Sequence, residues 1–396
     1  MSKILLSHPT ANQNVRQTAL AFAAANLLDE FWTCINWRPG SVLDRLAGLS
    51  PRVQDQLRRR SFAAELQPFT RSFASREWVR LVFGAVGLDS VYDSLDRHVA
   101  RRLNSRADLK AVYAYDAGAL ETFRAAKRRG LKCVYEHPIV HWRKVRELQR
   151  EEAELQPEWA PTLLSLRDSE AKLARKDEEL SLADVIVTAS TFARGSLPHV
   201  NAQVHVIPYG APDVSEETPA ASTEKLRVLF VGALTQAKGL SYVFEATARL
   251  QSHVDLTLIG QRVSETVPAQ SLLDRHRWIP SLSHDRLLAE MSAHDVLLLP
   301  SLHEGFGLVI LEAMARGTPV ITTAHTGGAD VIDDGVDGFL IPTRSSDAII
   351  EKLEWFMQDR QRHAAMRDAA RNKARACSWQ IYRQRIVALA REVIAN

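Results

Sequence analysis

Val296 to Leu299 is an unbroken apolar run closed by Pro300, the pattern of a strand buried on both faces. A polar stretch, Ser301 to Gly307, follows. Leu308 to Arg316 then has helical spacing, and Gly317 stands where a helix end favours positive φ. Val320 and Ile321 start another strand after Pro319, and Thr326-Gly327-Gly328 leads into a short helix. The same alternation runs along the rest of the chain. In the amino half, strands are predicted at Ile4 to Ser7, Ala111 to Tyr115, Leu131 to Tyr135, Asp184 to Thr188 and Val204 to Ile207. Helical patterns lie at Val15 to Leu28 and along the charged stretch Arg143 to Leu182, and Ser190 fits a helix N-cap. In the carboxyl half, strand Val228 to Val231, loop Gly232 to Gly239, helix Leu240 to Leu250 and strand Leu256 to Ile259 succeed one another. A helix at Asp285 to Ser292 precedes the Val296 strand, and an amphipathic helix, Trp379 to Ile394, ends the chain. Strands separated by helices predict an α/β fold with parallel sheets. Such sheets bind ligands beyond the carboxyl ends of their strands.

A chain of 396 residues holds two domains of ordinary size. Pro208 to Pro219, rich in proline and acidic residues, has linker composition. A net charge of +3 gives no global case for nucleic-acid binding. Basic residues nevertheless outnumber acidic ones between Arg38 and Lys110, with Arg58, Arg59, Arg60, Arg71, Arg76, Arg80, Arg101 and Arg102 among them. They are either solvated helix faces or an attraction for anionic headgroups or a phosphate-bearing acceptor. Cys34, Cys133 and Cys377 are far apart and form no metal spacing, which fits a reducing compartment. The first apolar run is too short for a signal peptide or a membrane span. The expected location is cytoplasmic, with peripheral contact at the inner face of the membrane as the extension that the basic stretch allows.

Candidate chemistry gathers in the loops. Glu304 lies beside Gly305 and Gly307, where backbone N–H groups can approach a ligand closely. Glu312, eight positions on, can point from its helix at the same crevice. Carboxylates accept hydrogen bonds from paired hydroxyls such as those of sugars and riboses. As isolated residues, both would be a solvated loop glutamate and a helix decoration. The loop Gly232 to Gly239 joins a strand to a helix, and its Lys238 with the helix N-terminus makes an anion site. Gly260 and Gln261 end one strand. Ile279-Pro280 comes shortly before a helix, and His137 and His141 follow another strand. Asn12 and Asn14 bring amide donors to the first loop.

Pro300-Ser301-x-x-Glu304-Gly305-Phe306-Gly307 continues into Glu312-Ala313-Met314-Ala315-x-Gly317-x-Pro319-Val320, then Gly327-Gly328 and Asp334-Gly335-x-x-Gly338-Phe339. This run resembles the signature of retaining glycosyltransferases of the family 4 type, the glycosyl transferases group 1. The resemblance implies the GT-B architecture: two Rossmann-like domains facing across a cleft, with a final helix crossing back to the first. It places an acceptor-binding domain at 1–208, a nucleotide-sugar-binding domain at 209–376 and the returning helix at 377–396. It also implies roles. Glu304 approaches the donor sugar, with Gly305, Phe306, Gly307 and Leu308 around it, and Glu312 holds the ribose. Lys238 contacts the diphosphate between Gly232 and Gly239, and Gly260 and Ile279 border the nucleobase. His137, or else His141, reaches the donor sugar from the first domain. Glu304, Lys238 and His137 thus form the expected catalytic set. Asn12, Asn14 and His141 fall on the acceptor side.

The implied reaction is metal-independent hexosyl transfer from a nucleotide-diphosphate sugar, with retention, to a glycan or lipid-linked glycan of a surface polysaccharide. No cofactor is expected beyond that co-substrate; the leaving diphosphate would be neutralised by Lys238 and by helix N-termini at Gly239 and Gly328. Three departures from the family pattern stand out. Ala233 replaces the usual arginine of the diphosphate loop, which Arg262 could replace. Tyr209 replaces asparagine in the hinge Ile207-Pro208-Tyr209-Gly210-Ala211. The first loop, His8 to Asn14, lacks a glycine pair. A sugar-nucleotide epimerase or hydrolase on the same fold competes with transfer. So does a non-catalytic nucleotide-sugar-binding protein, which Ala233 favours and the retained glutamates and Lys238 oppose. A dinucleotide oxidoreductase is disfavoured, because no Gly-x-Gly-x-x-Gly follows a strand.

Overall fold

The apolar runs become two sheets whose strand pairs are all parallel. A computed structural model describes residues 3–10, 12–38, 57, 60–83, 86–103, 108–216, 225–263 and 272–395. Ala11, Arg58, Arg59 and the 217–219 end of the linker lie outside these residues. The first sheet is built from β1 (Lys3–Ser7), β2 (Leu28–Thr33), β3 (Thr70–Ser72), β4 (Leu109–Tyr115), β5 (Lys132–His137), β6 (Val185–Thr188) and β7 (Gln203–Val206). Its order is β3-β2-β1-β4-β5-β6-β7. The second comprises β8 (Leu226–Val231), β9 (Val254–Ile259), β10 (Arg277–Ile279), β11 (Val296–Leu299), β12 (Val320–Thr323) and β13 (Gly338–Ile341). Its order is β10-β9-β8-β11-β12-β13. Strand order therefore reverses between β1 and β4 in one sheet and between β8 and β11 in the other. All four residues of β11 are fully buried, as expected for a central strand covered on both faces.

The linker and the last helix close the molecule. Ala211 N–H donates to Cys377 O at 2.7 Å where the chain crosses itself. The Trp379–Ala395 helix then lies on the Gln13–Ala24 helix of the first domain. Thr18 Oγ1 and Tyr382 OH are 2.7 Å apart there, and Arg383 reaches Gln17 at 3.3 Å. One apolar cluster runs through this junction and contains Tyr209, Phe306, Trp379 and Tyr382. The domains thus share core at the hinge.

The structure differs from the sequence reading in four places. The first helix ends at Ala24, not Leu28; Asn26 takes φ +59°, and Leu28 begins β2. Apolar Leu27 and Leu28 continued the helical spacing, so the break was hidden. The edge strands β3 and β10, three residues each, are too short to show a period, and β13 was not read as a strand. The stretch from Arg143 to Leu182 is two helices, Trp142–Leu155 and Glu170–Leu182, separated by 3₁₀ turns containing Pro157 and Pro161. Asn14 sits inside the first helix rather than in the loop before it.

The 3₁₀ turns of the Arg143–Leu182 stretch pack on the second domain, where the Trp159 ring stacks near Phe244 with centroids 6.0 Å apart. Several arginines of the basic stretch are tied down within the first domain. Arg60 and Arg80 both meet buried Glu77, at 2.9 and 2.7 Å, and Arg71 meets Glu30 at 3.2 Å. Among the described residues, no helix is long and apolar enough to cross a membrane.

Candidate active site

Topology brings the two principal loops together. The loops leaving β8 and β11 are neighbours because those strands pair at the point where the order of the second sheet reverses, the usual ligand crevice of an open α/β sheet. Lys238 stands on one loop and Glu304 on the other, and they form an ion pair through Nζ and Oε1. Ser301 Oγ donates to the same Glu304 oxygen at 3.3 Å. Thr235 caps the turn carrying Lys238 by accepting from Ala237 N–H. Gly239 then begins the Leu240–Arg249 helix, whose N-terminal dipole favours an anion here. Gly232 and Gly260 allow a close crossing beside this loop: Gly260 has φ +156°, and a Cβ there would lie 1.8 Å from Gly232 O. Ile279, at the end of β10, accepts from Gly260 N–H at 3.0 Å. Arg262 bridges to Leu234 of the same loop, next to the position where Ala233 leaves the arginine missing.

Gly307 starts the helix Leu308–Ala315 that carries Glu312. The Glu312 side chain is largely buried, and burial raises its pKa, partly offset by His284. His284 Nδ1 lies 3.8 Å from its Oε1. Glu304 and Glu312 therefore face different surroundings, one a lysine and the other a half-buried wall. Phe306 accepts from Gly327 N–H at 2.7 Å and meets the Tyr209 ring edge-on at 5.4 Å. Tyr209, the hinge residue that departs from the family pattern, donates to buried Glu136 at 2.7 Å. Gly328 heads a helix of four residues.

The first domain closes over this site. A Cβ on Gly305 would lie 1.8 Å from Pro138 O, so only glycine fits that approach. Ser190, which caps its helix as the sequence predicts, also donates to Gly305 O at 2.6 Å. Phe192 stacks on His325 with centroids 4.4 Å apart. His137, immediately before Pro138, is 3% exposed. Its Nδ1 lies 3.3 Å from Asp116 Oδ1, and neither ring nitrogen meets a hydrogen-bond partner among the described residues. Burial raises the Asp116 pKa, but Lys176 and His137 together hold it well below the usual carboxylate range. Lys176 Nζ is 3.0 Å from Asp116 Oδ2. His141 accepts from Arg143 N–H through Nδ1, so its proton sits on Nε2, 3.3 Å from Asp177. Burial lowers its pKa to about 4, and the neighbouring His137 adds to the effect.

The two amide residues expected on the acceptor side separate. Asn12 is exposed and accepts from Thr10 Oγ1 at 3.1 Å. Asn14 is buried, and its amide donates to Glu136 and Tyr209, each at 3.1 Å. Its donors are therefore engaged within the protein.

Sequence reasoning did not find Asp116, Lys176, Gln149, Glu152 or Gln236. Each lies in an ordinary polar helix or loop pattern, and only the packing reveals its partners. His303, beside Glu304, was also passed over. Its Nε2 lies 3.1 Å from Gln149 Nε2. An amide nitrogen donates, so the imidazole accepts and is neutral. Burial is the main cause that lowers its pKa from 6.5 to about 4. Below pH 6.5 the unfolded chain takes up a proton that the folded chain refuses until about pH 4. Stability should therefore fall as pH drops through this window. Relative to His303→Gln, wild type should lose about 3 kcal/mol between neutrality and the low end of the window. Parallel urea melts across the window measure this, and a constant difference between the two proteins would show that His303 keeps its ordinary pKa.

Residues 214–373 match the family model described as glycosyl transferases group 1. Sucrose synthase of Melioribacter roseus is 26% identical over 200 residues, 42% of this chain and 25% of that protein. D-inositol 3-phosphate glycosyltransferase of Corynebacterium aurimucosum is 28% identical over 249 residues, 55% of this chain and 59% of that protein. The matches thus span a quarter to three fifths of those relatives' own length. The fold extends further. Sucrose-phosphate synthase from Thermosynechococcus elongatus superposes with a TM-score of 0.68 at 19% identity, covering 100% of both chains. Anabaena HepE in complex with UDP and glucose gives 0.66 at 16% identity, covering 98% of this chain and 99% of its own. Residues 214–373 thus carry the match to the glycosyl transferases group 1 model, and both domains share the GT-B fold with these structures.

Proposed function

We propose that the protein is a retaining glycosyltransferase that moves a hexosyl group from a nucleotide-diphosphate sugar to a glycan or lipid-linked glycan acceptor. The observation that carries this reading is the meeting of Lys238 and Glu304 where strand order reverses, with Glu312 one helix behind and buried His137 opposite. Lys238 and the N-terminus of the Leu240–Arg249 helix supply positive charge for a leaving diphosphate. Charge that builds there is stabilised more than the ground state, which is the source of rate. Glu304, released from Lys238 by the diphosphate, would accept from sugar hydroxyls. His137, buried and with its Nδ1 3.3 Å from Asp116, would meet the sugar from the other wall. HepE with UDP and glucose supports a donor of this class. The membrane surface would be a peripheral partner at most, with the acceptor presented there.

Lysine and helix charge together make a divalent ion unnecessary in this reading. A panel of UDP-, GDP- and ADP-sugars, each with acceptor extracts and excess EDTA, tests it. One donor should give a glycosylated product with retained anomeric configuration. Free sugar alone would indicate a hydrolase, an altered sugar-nucleotide an epimerase, and rescue only by manganese or magnesium would overturn the metal-free clamp.

The two glutamates should separate by function. Glu304→Ala removes the competitor for Lys238, so nucleoside-diphosphate affinity should hold or rise while transfer falls. Glu312→Ala should weaken the nucleotide itself, through a lost ribose contact. A hydrogen bond to a charged group is worth roughly 1.5–3 kcal/mol, or about ten- to 150-fold in affinity. Calorimetry with the nucleotide, followed by steady-state kinetics, checks both, and equal loss in the two variants would merge the roles.

A further inference from the structure

The Trp142–Leu155 helix of the first domain touches both donor loops of the second. Gln149 and Glu152, three positions apart and so on one helix face, make the contacts. Gln149 Nε2 meets His303 at 3.1 Å, next to Glu304. Glu152 Oε1 accepts from Gln236 Nε2 at 2.7 Å, two residues before Lys238, and from Tyr242 OH at 3.0 Å. Its other oxygen accepts from Arg344 Nε at 2.7 Å. Glu152 and Gln236 are both fully buried. The rest of Gln236 is also fixed: its N–H donates to Thr162 Oγ1 at 2.9 Å, and its side-chain oxygen accepts from Ser241 N–H at 3.0 Å. Arg344 reaches Glu152 from a left-handed backbone, φ +62°, an arrangement that surrounding contacts must hold in place.

We propose that Glu152 is a positioning residue for the diphosphate clamp, and that Gln149 does the same for the sugar loop. The proposal rests on the reading of Lys238 and Glu304 as donor ligands. A buried carboxylate held by an arginine adds little stability over apolar packing, so its consequence here is geometric. Ser241 holds the Gln236 amide from its own domain through both amide atoms, and Glu152 adds the contact from the first domain, so the Gln236–Lys238 turn is fixed relative to the opposite wall and can set Lys238 in one direction. The same helix is capped by His141, four residues beyond His137. One rigid element thus spans the histidine wall and both donor loops. A transferred group placed between them would meet lysine, glutamate and histidine at fixed separations.

The test compares nucleoside diphosphate with monophosphate, using calorimetry on the full chain. UDP/UMP, GDP/GMP and ADP/AMP are titrated, and the pair that wild type binds best is kept. Lys238→Ala should erase the preference for the diphosphate. Glu152→Ala should cut that preference about tenfold or more and leave monophosphate affinity unchanged. Glu152→Gln, which keeps an acceptor for Gln236 but turns an amide toward Arg344, should fall between wild type and Glu152→Ala. Gln149→Ala should leave the preference intact and lower kcat with little change in KM. If Glu152→Ala does not fold, Glu152→Gln and Gln149→Ala carry the test. A lower melting temperature with an unchanged diphosphate preference would make Glu152 a merely structural residue and overturn the proposal. If Lys238→Ala keeps the preference, the clamp itself is misassigned and the positioning role falls with it.

Discussion

Replacing Lys238 with alanine is expected to lower turnover roughly a hundred- to a thousandfold, the usual effect of deleting one preorganised donor aimed at developing charge. The fold should barely notice. Lys238 is partly exposed, and its partner Glu304 keeps Ser301 as a donor. The expected result is therefore a collapse of kcat with a melting temperature close to wild type. Kinetics near those of wild type would reassign Lys238 to a solvated ion pair with Glu304. Arg262 then becomes the next cation to test, because it borders the same loop.

Gly305→Ala should be as damaging without removing any functional group. The new methyl would sit 1.8 Å from Pro138 O and 2.7 Å from Ile139 Cα, and backbone atoms cannot yield as a flexible side chain can. The obstruction belongs to the other domain, so the cheapest relief is to open the cleft about the crossing at Ala211 and Cys377. Opening would also break the Ser190 contact to Gly305 O. It would draw His137 away from Glu304, and misplacement of about 1 Å costs on the order of a hundredfold in rate. Each domain's own core is untouched, so the melting temperature should change little. Small-angle scattering should report a more open particle together with the loss of turnover. Unchanged kinetics would mean that the closed cleft seen here is not the arrangement in which the proposed transfer occurs.

Much of this architecture was legible in the chain. Continuous apolar runs such as Val296 to Leu299 mark central parallel strands because both faces are covered. The Glu304 to Glu312 run was readable because its glycines and carboxylates are close in sequence and share one loop–helix unit. Ser190 was readable as a cap for the same reason, since capping is a contact between near neighbours. The second strand was lost because Leu27 and Leu28 continued a helical period past the turn at Asn26. The edge strands β3 and β10 offered only three residues each, too few for any period.

What the sequence by itself determined is most of the local elements, the parallel α/β class and the residue types in each loop, because these depend on neighbours within a few positions. The tertiary structure alone decided which loops meet. Lys238 and Glu304 are 66 positions apart and are joined by the pairing of β8 with β11. Glu152 and Gln236 are 84 apart; a glutamate in a charged helix has no local mark that separates burial from solvation. Asn14 was read as an open donor and proved occupied by Glu136, 122 positions away. Burial and pairing at such separations are properties of the assembled sheets, set by which strands lie side by side and how the two domains close, so a pattern confined to one stretch of chain does not contain them.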